Sequence, residues 1–323
     1  MSSRLLTPAR AAILATVALS TAACGSATAS SGSGSSGSGS SSGSATTVSV
    51  THAQGTTQVP AHPKKVAVLD LGVLDSLQSL GVDSVTAVTK QGMPSFLSGY
   101  QDARYTDLGS MKEPDVEKLA AAGPDLIIVG ARGAAKYKEL SKIAPTIDLT
   151  VGSKDLMGSA KKVNAQLGEI FGKQEQVTAK HAALDAKVTA AKAKAANAGT
   201  GLILMTSGGK VSAFGPQSRF GLVHQTLGVK PTAATISEDR HGQAVSFEFV
   251  RDAKPDRLFV VDRDAAIGQN GKAAKEILAN PLVDATPAGA TKQITYLDGQ
   301  RWYVVGAGLD NLSTMVDEVA AGL

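Results

Sequence analysis

Four short, unbroken apolar runs mark this chain: Val66–Leu69, Leu126–Val129, Leu202–Met205 and Leu258–Val261. None alternates apolar with polar positions, so each predicts a strand buried on both faces, as in a parallel sheet covered by helices. The segments between them carry helical spacing and turn residues, which predicts βα alternation. Gln174–Ala196 differs, being free of Gly and Pro, with Val177, Leu184, Val188, Ala191 and Ala195 recurring at seven, four, three and four. That spacing predicts one long amphipathic helix in mid-chain.

An internal repeat straddles this helix. Glu117–Arg132 matches Glu248–Arg263 at an offset of 131, each half reading helix, Pro-Asp turn, apolar strand and arginine. Leu80-Gly81-Val82 and Leu227-Gly228-Val229 form a weaker echo, each closing the helix after its half's first strand. The expected fold is therefore α/β, with two similar lobes of parallel type, 45–150 and 201–323, joined by a helical linker, 151–200, that contains the spine. Ligands of open α/β sheets lie beyond the carboxyl ends of the strands, where Arg132 and Arg263 are expected. One guanidinium from each side of an inter-lobe cleft suits an anionic or oxygen-rich guest.

The amino-terminal segment reads differently. Residues 1–23 form a short basic stretch followed by a brief apolar one, a secretory signal too short to span a bilayer. The only cysteine, Cys24, follows at once in a context resembling a bacterial lipobox, although Thr21 departs from the usual branched aliphatic residue. Lipid attachment at Cys24 is expected, with 24–44 as a tether: 17 of the 20 residues after Cys24 are Gly or Ser. At about 5–6 Å × √n such a chain reaches roughly 25 Å. The expected location is the outer face of the cytoplasmic membrane, lipid-anchored. A single cysteine excludes a disulfide framework and a cysteine zinc site. The net charge of +4 in 323 residues gives no reason to expect nucleic acid.

Three further groups are candidates for chemistry. Arg219 follows Gly215-Pro216 and Ser218, a turn and a potential cap, placing it at a predicted helix start that favours an anion. His241 lies in a polar loop before the helix expected from Phe247. Trp302 and Tyr303 adjoin a strand, so only one is expected to face the core. Enzyme signatures are missing from the body: the one literal Gly-x-Ser-x-Gly, Gly39–Gly43, falls within the Gly/Ser tether, and Gly268–Ala273 fails the phosphate-loop pattern. Histidines at 52, 62, 181, 224 and 241 are too scattered for a bare divalent-metal carrier.

From Thr46 to Leu323 the chain resembles the helical-backbone class of periplasmic binding proteins, the substrate-binding lipoproteins of ABC importers for iron–siderophores, haem and cobalamin. The carriers of the resemblance are His62–Leu69, Glu113–Glu117, Pro124-Asp125, Pro145 and Gly308–Met315. Gly215–Gly221, His241–Glu248, Phe259–Arg263 and Trp302-Tyr303 bring it closest to catecholate-siderophore binders of the enterobactin and petrobactin group. The resemblance implies a monomer without catalytic activity or intrinsic cofactor, whose ligand is a ferric siderophore. It implies that Arg132, Arg219 and Arg263 surround the ferric complex, with Trp302 beside them. It implies further that His241 and Tyr303 ligate iron when the siderophore is tetradentate, Tyr296 being the alternative to Tyr303. Glu117 and Glu248 would dock on the permease. A haem or cobalamin carrier of the same fold is the runner-up, and a cleft enzyme the more distant reading.

Overall fold

The computed structural model describes residues 46–239 and 241–323, so the signal, Cys24, the tether and Arg240 lie outside the described residues. An antiparallel hairpin opens it, β1 (Thr47–His52) and β2 (Gly55–Pro60), seated on the first lobe through Val50 and Val59. The first lobe's sheet contains β3 (Val66–Leu69), β4 (Val85–Val88), β5 (Thr106–Asp107), β6 (Leu126–Val129) and β7 (Thr146–Asp148). Its strands run parallel in the order β5-β4-β3-β6-β7. Helices α1 (Leu71–Ser79), α2 (Val116–Ala122) and the single turn α3 (Tyr137–Leu140) connect them.

The unbroken apolar runs now have their reason. Along β3 and β6, Val66, Val68, Leu126 and Ile128 enter one hydrophobic core, while Ala67, Leu69, Ile127 and Val129 enter another on the opposite face. The second lobe repeats the division: Ile203, Met205, Phe259 and Val261 face one core, Leu202, Leu204, Leu258 and Val260 the other. With both faces covered, no position along these strands is left for a polar residue.

Between the lobes run α4 (Leu156–Phe171) and α5 (Gln174–Ala195), separated by Gly172 at φ 65°. The buried residues of α5 are the five picked out by spacing; Val177 packs into the first lobe's core and Leu184, Val188, Ala191 and Ala195 into the second's. This helix is thus a spine crossing from one core to the other.

The second sheet departs from the expected parallel type. It comprises β8 (Thr200–Ser207), β9 (Lys210–Phe214), β10 (Lys230–Pro231), β11 (Gln243–Val245), β12 (Arg257–Asp262) and β13 (Ile294–Leu297). The path is β11-β9-β8-β12-β13, with β10 also pairing β8, and β9 runs antiparallel to both β8 and β11. Gly208 and Gly209, both at positive φ, form the two-residue turn that sends the chain back on itself, a hairpin geometry that branched side chains resist. The helices here are α6 (Phe247–Ala253), α7 (Arg263–Ala266), single turns α8 (Ala274–Ile277), α9 (Pro281–Asp284) and α10 (Pro287–Ala290), and α11 (Leu309–Ala321).

Both halves of the repeat share a device at the Pro-Asp turn. The Asp125 carboxylate accepts from the Lys64 and Lys65 amides, and the Asp256 carboxylate from the Thr200 amide and hydroxyl. Each aspartate thereby pins the start of the neighbouring strand, β3 or β8.

The lobes meet along a seam at residues 300–311. Trp302 lies in the second lobe's core while Val304, Val305 and Leu309 lie in the first's. Helix α11 has no side-chain cap from its own Gly308. Instead α1 caps it: Ser76 Oγ accepts from the Leu309 amide, and Asp75 Oδ2 from the Asp310 and Asn311 amides, all at 3.0 Å. Burial, reinforced by the negative charge of Asp310, raises the Asp75 carboxyl to about 6 against the lowering effect of these amides and of Arg301.

Candidate functional site

A cavity of about 420 Å³ opens between the lobes. Asp70, Arg132 and Thr150 line it from the first lobe, Arg219, Glu238 and Val304 from the second. It follows from the strand directions. Asp70 directly follows β3 and N-caps α1, accepting from the Gly72 and Val73 amides at 2.9 and 3.0 Å. Arg132 follows β6 after a turn through Gly130 and Ala131, and a side chain at Gly130 would collide with the Asp70 carboxylate. Burial holds the Asp70 carboxyl above the usual range although Arg132 and two amides act to lower it.

The three arginines converge on one residue. Arg132 reaches across the seam, donating from Nη1 to the Val304 carbonyl and from Nη2 to the Tyr303 carbonyl, both at 2.6 Å. Arg219 donates from Nη2 to the same Tyr303 carbonyl at 2.8 Å. Arg263 donates from Nε to the Tyr303 hydroxyl at 3.0 Å, while its Nη1 bonds Ser207 Oγ at 3.1 Å. The guanidinium carbons stand 4.5, 5.5 and 6.0 Å from the Tyr303 ring centroid, for Arg219, Arg263 and Arg132 in turn, within cation–π range. Burial pushes the phenol's pKa up, but the Arg263 hydrogen bond and the charges of the three arginines outweigh it, leaving the phenol below its ordinary value.

Local structure explains the placement of each, with some differences from expectation. Arg263 follows β12 directly and opens α7, where Asp262 caps the turn. No regular helix starts at Arg219: Ser218 Oγ accepts from the Phe220 amide at 3.3 Å, and a π-helical turn, Leu222–Thr226, follows. The helix start expected at Arg219 is thus replaced by successive turns that carry the buried Phe220 and Leu222. Trp302 and Tyr303 lie not on a strand but in a second π-helical turn, Gln300–Val305. Trp302 is the core member of the pair, 1% exposed, with its indole Nε1 donating to Glu318 Oε2 at 2.8 Å, and part of it reaches the cavity wall. Tyr303 is half-buried. Tyr296, exposed on β13, makes no hydrogen bond or ring contact with an arginine among the described residues.

His241 is not brought into this cluster. It is exposed on the loop before β11; its amide donates to Asp239 Oδ1 at 2.7 Å, and no hydrogen bond joins its ring to Tyr303 or the arginines among the described residues. Glu117 and Glu248 are both exposed in the first turns of α2 and α6, helices capped by Asp115 and Ser246. Among the described residues no group of three or more His, Cys, Asp or Glu side chains could hold a metal ion, and no helix is long and apolar enough to cross a membrane. Sequence reasoning missed Asp70, Asp75 and Glu238. An aspartate between an apolar strand and an apolar helix is an N-cap signal that would have found Asp70.

Comparison with known proteins adds four findings. Residues 66–301 match the periplasmic binding protein family. The petrobactin-binding protein YclQ of Bacillus subtilis is 43% identical over 273 residues, 83% of this chain and 84% of that protein, and its crystal structure superposes with a TM-score of 0.83 at 42% identity, covering 86% and 98% of the two chains. The ferric-anguibactin-binding protein FatB of Vibrio anguillarum is 35% identical over 281 residues, 85% of this chain and 87% of its own. The periplasmic catecholate-siderophore binding protein VctP of Vibrio cholerae superposes with a TM-score of 0.81 at 34% identity, covering 85% and 100% of the chains.

Proposed function

This chain belongs to the periplasmic binding protein family, and from that premise we propose that it is the extracytoplasmic substrate-binding component of an ABC importer, capturing a ferric catecholate siderophore in its inter-lobe cleft. The observation that carries the reading is the convergence of Arg132, Arg219 and Arg263 on Tyr303 at the cleft. A ferric tris-catecholate is an oxygen-rich trianion, and a guanidinium bond to it is a charge-assisted contact of about 1.5–3 kcal/mol. The task is capture, not catalysis, and the iron is cargo. With a tetradentate catecholate two iron positions stay open, for which Tyr303 supplies a phenolate and His241 an imidazole on this reading.

Cys24 carries the lipid anchor on this reading, and the Gly/Ser tether holds the lobes off the membrane surface. Glu117 and Glu248 dock on the permease. Their equivalent places in the two halves, exposed in the first turns of α2 and α6, support that role.

Trp302 is the only tryptophan and reaches the cavity wall, so its fluorescence reports occupancy. Titration with a ferric catecholate should quench it at far lower concentration than haem, cobalamin or a neutral ferric hydroxamate. Tighter quenching by haem or cobalamin would overturn the assignment.

A further inference from the structure

The seam raises a question that charge attraction leaves open: Arg132, the first lobe's only arginine in the cluster, directs its two shortest bonds at protein, not at the open cavity. Its acceptors are the carbonyls of Tyr303 and Val304, near the end of the π-helical turn Gln300–Val305. The last carbonyls of a helical turn lack partners within it, and Gly306 at φ 71° and ψ −128° stops the chain from supplying them. A planar guanidinium with paired donors can bridge two adjacent carbonyls, and a cation there also complements the helix end. Arg219 adds a second donor to the Tyr303 carbonyl.

The same arrangement recurs on the other side of Gly306–Gly308. There Ser76 and Asp75, again from the first lobe, take the amides of Leu309, Asp310 and Asn311. First-lobe side chains thus cap one helix end before the glycine link and another after it. Between them they fix the backbone from Tyr303 to Asn311.

We infer that Arg132 is a positioning residue, a latch that joins the lobes through the Tyr303 and Val304 carbonyls and so presents the Tyr303 side chain to the guest. The inference rests on the proposed capture of a ferric catecholate, but its structural half concerns the ligand-free protein alone. On this account the fork of Arg132 matters more than its charge. Lysine keeps the charge and has one ammonium, which cannot reproduce a planar two-carbonyl bridge.

The test compares wild-type protein with Arg132→Lys and Arg132→Ala, each checked for native secondary structure by circular dichroism. In ligand-free protein, hydrogen exchange of the peptide spanning 303–311 should accelerate in both variants, while β8 amides keep wild-type rates. With a tetradentate ferric catecholate, both variants should lose at least about tenfold in affinity, and the bound complex's charge-transfer band should move toward its position in free solution. Wild-type affinity and exchange in Arg132→Lys would overturn the latch, reducing Arg132 to a charge. Faster exchange with affinity and band unchanged would overturn the positioning role. If wild-type protein binds no ferric catecholate, the proposed function fails, and the exchange measurement still decides the latch.

Discussion

The two halves of the repeat carry the same succession of helix, Pro-Asp turn, strand and arginine, yet their arginines do different things. Arg263 follows its strand directly and is held within its own lobe by Ser207 and Asp264 before reaching the Tyr303 phenol. Arg132 stands beyond a two-residue turn and leaves its lobe entirely, for carbonyls of the other. The aspartates of the two halves, by contrast, act alike, each anchoring a strand start. The repeat therefore specifies scaffold and approximate position, while the destination of each guanidinium depends on what the seam places opposite it.

The most severe test of the comparison addresses the glutamates that open both halves of the repeat. Replacing Glu117 and Glu248 together with alanine should abolish siderophore uptake while leaving affinity within a few-fold, and each single variant should lose uptake to a similar degree. Unequal single variants, or a parallel loss of affinity, would break the equivalence of the two modules at these helix starts.

Next in size is the difference between the arginines. Arg263→Ala should weaken a ferric catecholate by about 1.5–3 kcal/mol, or roughly 10- to 150-fold in a titration, without altering hydrogen exchange across residues 303–311 of the ligand-free protein. A faster-exchanging seam in this variant would mean that the two arginines share one role.

The junction of α1 with α11 offers a pH test. The Asp75 carboxyl rises from 3.8 to about 6 on folding, so the native state holds this proton more tightly than the unfolded chain. The contribution of this group to stability is therefore greatest in acid and declines as pH rises between about 4 and 6, by at most about 3 kcal/mol. The groups facing it are Asp310, which favours the proton, and Arg301, which opposes it. Asp75→Asn keeps an acceptor for the two α11 amides and should remove this decline in urea unfolding between pH 4 and 7, with stability at pH 7 at or above wild type. A variant much weaker than wild type at pH 7 would show that the cap needs the charge.

The smallest effect concerns the shared device. Asp125→Ala and Asp256→Ala each remove a carboxylate that accepts two hydrogen bonds at an exposed strand start, and each should cost about 1 kcal/mol in urea unfolding. Costs differing severalfold would mean that the aspartates are not equivalent.

These contrasts also mark what the sequence could and could not disclose. Strands β3, β6, β8 and β12 were legible because burial on both faces requires unbroken apolar runs. The spine was legible because only five of its positions touch a core, at helical spacing. The antiparallel β9 was not legible as an unbroken apolar run, because Ser212 interrupts Val211–Phe214, although Gly208-Gly209 is a hairpin signal in its own right. Arg132, Arg219 and Arg263 could be picked out, but not their convergence on Tyr303, which arises from a π-helical turn with no periodic signature. Nor could Asp75 be found: it caps a helix more than 230 residues away, a relation that no local pattern encodes.

The most direct test of the central claim is the position of iron in crystals of the protein with a tetradentate ferric catecholate, located by anomalous scattering at the iron edge. The account predicts a single peak in the cleft between Arg132, Arg219 and Arg263, within coordination distance of the Tyr303 hydroxyl. A peak outside that cluster, or none in crystals grown with saturating complex, would contradict it.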